Sequence, residues 1–249
     1  MTEPVHFAEL TSPQAGALLD SRQTPVLLLP VGAVEPHGPH APLATDSIIS
    51  EAICERAAGD LRADAQVRAL VLPAISYGVT RYSADFPGSV TIGAGTLHAV
   101  VADVCTALRD QGFRHIVIVN SHFEPEHVAA LRRASEELHV AFLDLTRRRA
   151  AERVTEEFRS GAAHAGRYET SIVLATRPEL VDTERMSALP ERAVNMPAAI
   201  EAGKTDFLAM GMDQAYCGAP AEATETEGEA TLLTLTTMLI ELIRETVRG

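Results

Sequence analysis

Val26-Leu27-Leu28-Leu29-Pro30-Val31 is an unbroken apolar run, and Glu35-Pro36-His37-Gly38-Pro39-His40 follows it closely, with Thr45-Asp46 beyond. The plan returns later in the chain. His115-Ile116-Val117-Ile118-Val119 leads directly into Asn120-Ser121-His122-Phe123-Glu124. A continuous apolar run, rather than an alternating one, is how a strand buried on both faces of a parallel sheet reads. Both predicted strands therefore end in loops that carry carboxylates and imidazoles. Open α/β sheets place their chemistry just past strand ends of this kind. Two histidines and three carboxylates are also what one or two divalent metals require.

Outward from these two strands, apolar runs alternate with helical periodicity. A helix is predicted from Asp46 to Leu61, a strand over Arg68–Ala74, and a helix from Thr96 to Gln111 that Gly112 ends. A helix follows from Pro125, with proline suited to the first turn. A short strand over Val140–Leu145 comes next, then one amphipathic charged helix over Arg147–Arg159 and an apolar helix over Glu169–Thr176. This order predicts an α/β fold with a largely parallel sheet covered on both faces. From Pro178 to Glu227 the periodicity fades over a stretch too long for an ordinary loop, which suggests a lid or a contact between subunits. A last helix runs from Glu229 to Arg248. At 249 residues the whole chain, 1–249, reads as a single domain.

Lys and Arg total 21 against 34 Asp and Glu, a net charge of −13. That balance argues against nucleic acid or an anionic membrane as partner and leaves a small-molecule substrate. Arg147-Arg148-Arg149 is followed by Glu152, Glu156 and Glu157, which reads as a solvated helix face. Cys54, Cys105 and Cys217 form no CxxC pair and imply no disulfide framework. Met1-Thr2-Glu3-Pro4-Val5-His6 lacks the charge and apolar core of a leader, and no apolar run reaches membrane-spanning length. A cytoplasmic location is expected.

Each candidate residue has a plainer reading. Asp46 alone is a helix N-cap, and His37 or His40 alone is a loop histidine with a structural hydrogen bond. The co-occurrence of Glu35, His37 and Asp46 favours a metal site, with His40 left as a structural neighbour. His122 and Glu124 repeat the spacing after the second strand, where Asn120 and Ser121 can hydrogen-bond around them. His127 is placed near the site and Glu126 towards water. His164-Ala165-Gly166-Arg167-Tyr168-Glu169-Thr170-Ser171 adds an accessible histidine and a carboxylate for proton transfer. Tyr82 and Ser83, in a turn-rich loop, are candidates for the substrate side, as are Phe123 and His127. GxGxxG, Walker, HExxH and GxSxG motifs are missing.

Together, Leu29–His40 with Asp46, Phe86-Pro87-Gly88-Ser89-Val90, Asn120–Glu124 and His164–Ser171 resemble the creatininase (creatinine amidohydrolase) family, in register over roughly residues 8–182. The resemblance implies a three-layer α/β/α fold, a hexamer, and a hydrolase with two divalent ions, typically Zn or Mn. By motif, Glu35 and His122 would bind one ion and His37 and Glu124 the other, with Asp46 bridging both. His164 would shuttle a proton, with Glu169 its acidic partner. Mixed His and carboxylate ligation also admits Fe or Co. The chain departs from creatininase in having no tryptophan and Ala163 before the histidine. The expected substrate is therefore a small amide or cyclic amide of open identity. The alternatives are a lactone, ester or cyclic ketone, a peptide as in mycofactocin maturation, or a metal-binding subunit without catalysis.

Overall fold

The computed structural model describes residues 4–248; Met1-Thr2-Glu3, part of the N-terminal reading above, lie outside the described residues. Four parallel strands, β1 (Thr24–Val31), β2 (Val67–Val71), β3 (His115–Asn120) and β4 (Ala141–Leu143), form one sheet in the order β2-β1-β3-β4. The helices are α1 (Ser12–Leu19), α2 (Thr45–Asp60), α3 (Ala94–Asp110), α4 (Pro125–Leu138), α5 (Arg148–Ala151), α6 (Glu156–Ser160), α7 (Arg167–Thr176), α8 (Thr183–Ser187), α9 (Met196–Glu201) and α10 (Glu225–Arg248).

β1 is an inner strand, and its residues Val26 to Val31 are buried. Val26, Leu28, Val117 and Val119 face a core shared with α2, α7 and α10. Leu27, Leu29, Ile116 and Ile118 face the opposite core, shared with α3 and α4. The result is the three-layer α/β/α arrangement, and it explains why β1 and β3 are apolar throughout. Each fully buried Val or Leu contributes about 1.5–3 kcal/mol, so the strand pair is a firm base for the loops beyond it. Pro30 is tolerated in this inner strand for a geometric reason. The carbonyls of Leu28 and Pro30 point to the β2 side, where they accept from Leu72 and Ile75. The missing Pro30 N–H lies on that same side, and the β2 ladder has already ended at Val71 opposite Leu28.

From β1 the chain passes through α2 to β2 on one side, then through α3 to β3 on the other. The crevice past the ends of β1 and β3 is thus the switch point of the sheet. Gly32 permits the closest approach there. A Cβ on it would lie 2.5 Å from the backbone nitrogen of Ser47, so only glycine lets the start of α2 sit against the end of β1.

Three expectations are corrected. The single helix over 147–159 is two short ones, because Thr155 is extended (φ −63°, ψ 164°) and its side chain caps α6 by accepting from Phe158 N–H. Glu157 is not solvated: it is buried, and its carboxylate accepts from Tyr168 N–H (2.6 Å) and Ala219 N–H (2.7 Å). The segment 178–227 is also more ordered than its periodicity suggests. It contains α8 and α9 and builds a small apolar cluster around Phe207, Met210 and Met212. Among the described residues no helix is long and apolar enough to cross a membrane.

Candidate metal centre

Three chain segments meet at the switch point. The loop after β1 supplies Glu35 and His37, the first turn of α2 supplies Asp46, and the loop after β3 supplies His122 and Glu124. The loop before α7 adds His164, and the first turn of α7 adds Glu169. All seven side chains are buried. Asp46 lies between two imidazoles: its Oδ1 is 3.2 Å from His37 Nε2, and its Oδ2 is 3.1 Å from His122 Nδ1. Glu35 Oε2 is 3.3 Å from His122 Nδ1, and Glu169 Oε2 is 3.5 Å from His37 Nε2. His164 Nδ1 is 3.5 Å from Glu35 Oε1.

The outer nitrogen of each ring meets a backbone carbonyl. His37 Nδ1 is 2.9 Å from Glu35 O, His122 Nε2 is 2.7 Å from Val79 O, and His164 Nε2 is 3.0 Å from Pro36 O. A carbonyl only accepts, so each outer nitrogen carries its hydrogen and each inner nitrogen turns a lone pair to the centre. This is how metal-ligating histidines are held. Asn120 steadies the second loop, accepting from His122 N–H (3.3 Å) and donating through Nδ2 to His122 O (2.6 Å). Ala165, at φ 51° a strained residue for one that is not glycine, turns its N–H onto Glu169 Oε2 at 2.6 Å. That bond fixes the carboxylate beside His37.

With neutral rings, Glu35 Oε2, His37 Nε2, Asp46 Oδ2 and Glu124 Oε1 are buried with no hydrogen-bond partner among the described residues. Leaving four such atoms unmet is costly, and divalent cations would satisfy them. Two ligand sets lie within reach of single ions: Glu35, Asp46 and His122, and His37, His164 and Glu169. Glu124 stands in neither. Its Oε2 accepts from Tyr82 N–H at 3.2 Å, while its partnerless Oε1 belongs to the same cavity wall. The carboxylates nearest His37 Nε2 are those of Asp46 and Glu169, with Glu124 on the same cavity.

The alternative to a cation is a proton. Burial disfavours charge on His37, but Asp46, Glu169 and Glu35 outweigh it and raise its pKa to about 10. His122 is likewise raised to about 10, against burial, by Glu35 and Asp46. Burial pushes Glu35 up to about 7 and Glu169 to about 8. Asp46 is lowered: burial opposes this, but His37 and His122 prevail. His164 is held well below its usual range by burial and by the charge on His37. Metal-free protein at pH 7 thus stores protons that ligation must eject. Binding of Zn or Mn should release more than two protons per chain at pH 7, from His37 and His122 and in part from Glu169 and Glu35, and affinity should rise with pH up to about 10. Calorimetry in buffers of different ionisation enthalpy measures this; metal uptake with no proton release would contradict it.

Tyr82 and Phe123 line the cavity. Ser83 does not. It is buried and bonded to Ser89 Oγ at 2.9 Å and Thr80 O at 3.3 Å, which makes it a brace for its own loop. His127 is also withdrawn from the cavity. It is buried behind His122, edge-on at 4.7 Å, with Nε2 on Asn120 Oδ1 (2.9 Å) and Nδ1 accepting from Val79 N–H (3.3 Å). It therefore holds the loop of His122 rather than a substrate. His40 is structural as read, meeting Thr170 Oγ1 at 2.9 Å. Glu126 faces water, paired with Arg81 at 3.0 Å.

Met196, Ile200 and Phe207, which roof the cavity, belong to the segment expected to be a lid or a subunit contact, but none of the three is singled out by the sequence. Asn195 caps α9 by accepting from Ala198 N–H at 2.9 Å, with Pro197 in the first turn. Asn followed by Pro two residues on is a helix-start signal that could have located α9, although not its place above the site.

The family model "Creatininase: Creatinine amidohydrolase" matches residues 8–243. A creatinine amidohydrolase from Pseudomonas putida is 30% identical, the match covering 75% of this chain and 77% of that protein. A mycofactocin precursor peptide peptidase from Mycolicibacterium smegmatis is 33% identical, covering 82% and 78%. The solved structure "Creatininase Mn" superposes with a TM-score of 0.75 at 25% identity, covering 98% of each chain.

Proposed function

The chain belongs to the creatininase family, and on that premise we propose that its buried cluster holds two divalent ions, Zn or Mn, that share Asp46. It is a metal-dependent hydrolase of C–N bonds. The observation that carries the two-ion reading is the position of Asp46, with one oxygen toward His37 and the other toward His122. Glu35 completes the first set and Glu169 the second, with Glu124 Oε1 in reserve. Bound there, such ions supply Lewis acidity toward an amide carbonyl and lower the pKa of water toward neutrality.

The remaining steps belong to side chains. The ligand carboxylates and imidazoles fix the reacting groups in one geometry. His164 takes a proton on Nδ1, the nitrogen its bond to Pro36 leaves free, and delivers it to the leaving nitrogen as the C–N bond breaks and the carbonyl carbon gains oxygen from water. Met196, Ile200 and Phe207 exclude bulk water above the site. Ring contact with Phe207 at 4.5 Å keeps His164 in place.

The substrate is an amide or cyclic amide. A peptide amide is the second reading, favoured by the 33% identity to the mycofactocin precursor peptide peptidase. Self-association as a hexamer is part of this proposal. Leu43, Tyr77 and Val90 are exposed apolar residues on adjoining segments, brought together by the Val34–Val90 and Gly78–Thr91 bridges and the Glu35 N–H to Leu43 O bond. The three buried free cysteines suit a cytoplasmic location.

A hydrolysis screen over amides, lactams and lactones, on chelated protein and after adding back Zn or Mn, tests the reaction class. Amide cleavage that disappears with the chelator and returns with metal is expected. Turnover of lactones or esters alone, or turnover indifferent to metal, would contradict it.

A further inference from the structure

The cavity at the metal centre measures only about 30 Å³, room for a water or two, too little for a whole substrate even before any cation is added. A second cavity of about 480 Å³ adjoins it, within the roughly 300–1,000 Å³ of small-molecule sites. The two share Phe123, Pro125, Ala163, Met196 and Ile200 as walls. The larger one runs on between Val128, Ala151 and Phe158. Of the arginines at its rim, Arg132 is already engaged by Asp144 and Thr146, at 2.7 and 2.6 Å.

We propose that this groove is the substrate's second subsite, and that the substrate is an amide carrying an apolar arm the size of one or two amino-acid side chains. The inference rests on the amidohydrolase reading and deepens it. A compact polar ring would leave the groove unused. A charged or strongly polar arm would lose its hydration against Phe123, Val128 and Phe158, and apolar residues outnumber the polar Arg132, Thr146, Arg159 and Glu201 along the groove. An apolar arm gains there what burial of hydrocarbon ordinarily gives, and it would draw the scissile amide down past Phe123 to the metals.

Hydroxamates test the groove whatever the natural amide is, because they bind hydrolytic metal centres directly. Acetohydroxamate has no arm; 4-phenylbutyrohydroxamate has one. On the Zn-loaded protein, calorimetry should find the armed probe tighter by at least roughly 10-fold, the low end of what a single added methylene gives in a hydrophobic pocket. Val128→Glu should bring the ratio of the two affinities toward one. Should that buried substitution prevent folding, Ala151→Phe, at a half-buried position of the groove wall, makes the same comparison. Equal affinities in the unaltered protein would overturn the inference. So would a variant that changes the sedimentation coefficient but not the ratio, since the groove would then belong to a second copy of the chain. Failure of both probes to bind would remove the metal reading, and the subsite with it. Armed binding without any amide turnover would remove the reaction class and leave the subsite standing.

Discussion

Asp46→Ala is expected to empty both ion positions at once and to reduce turnover well beyond the roughly 10–100-fold that losing an outer-sphere partner costs a metal site. The size of the effect follows from geometry. Among the described residues, no other side chain presents one oxygen to His37 (3.2 Å) and another to His122 (3.1 Å). Without it, each set loses the carboxylate that links it to the other, and the two buried imidazoles repel once protonated. The plainer role for this residue is closed by the fold. Ala44 occupies the N-cap of α2, and Asp46 sits in the first turn with its side chain directed at the histidines. Loss of a cap would cost about 1 kcal/mol and leave metal content untouched. Metal analysis and rate measured on the same preparation separate these roles, and a variant that keeps two equivalents of metal would refute the shared-ligand assignment.

His164→Ala should behave differently, keeping its metals while losing turnover by roughly 10²–10⁴-fold, the scale of a removed general acid–base. His164 stands on its own loop, its Nε2–H committed to Pro36 O at 3.0 Å and its Nδ1 3.5 Å from Glu35 Oε1. Burial and the neighbouring charge on His37 keep the ring neutral, so Nδ1 is free to take a proton. Its closeness to His37 and Glu169 defines the competing result. Were His164 a ligand, the variant would lose metal together with activity. Were it a packing residue under Phe207, turnover would stay near native.

How far the sequence disclosed this arrangement depends on how local each signal is. β1 and β3 were plain because burial on both faces leaves an uninterrupted apolar run. α2, α3 and α4 were plain because one apolar stripe faces the sheet. The cluster of Glu35, His37, Asp46, His122 and Glu124 was visible because parallel topology collects strand ends at one edge. The closeness of Glu169 to His37 was not visible. It depends on the strained Ala165 turn and its bond to the carboxylate, and no spacing rule encodes it. Nor could spacing show that His127, three residues past Glu124, turns back behind His122 to hold Asn120. The break at Thr155 was masked by a charged stretch that reads as one helix. The roof of Met196, Ile200 and Phe207 comes from a segment whose order arises from packing on the rest of the chain rather than from its own periodicity.

If one buried cluster holds two ions through a shared carboxylate, both metals should be found beside Asp46. Elemental analysis of protein purified without chelator, paired with anomalous diffraction from its crystals, tests it most directly. Two metal equivalents per chain are expected, with two anomalous peaks flanking Asp46, one by His122 and one by His37. A protein that takes up no Zn or Mn, or holds its metal away from Asp46, would contradict it.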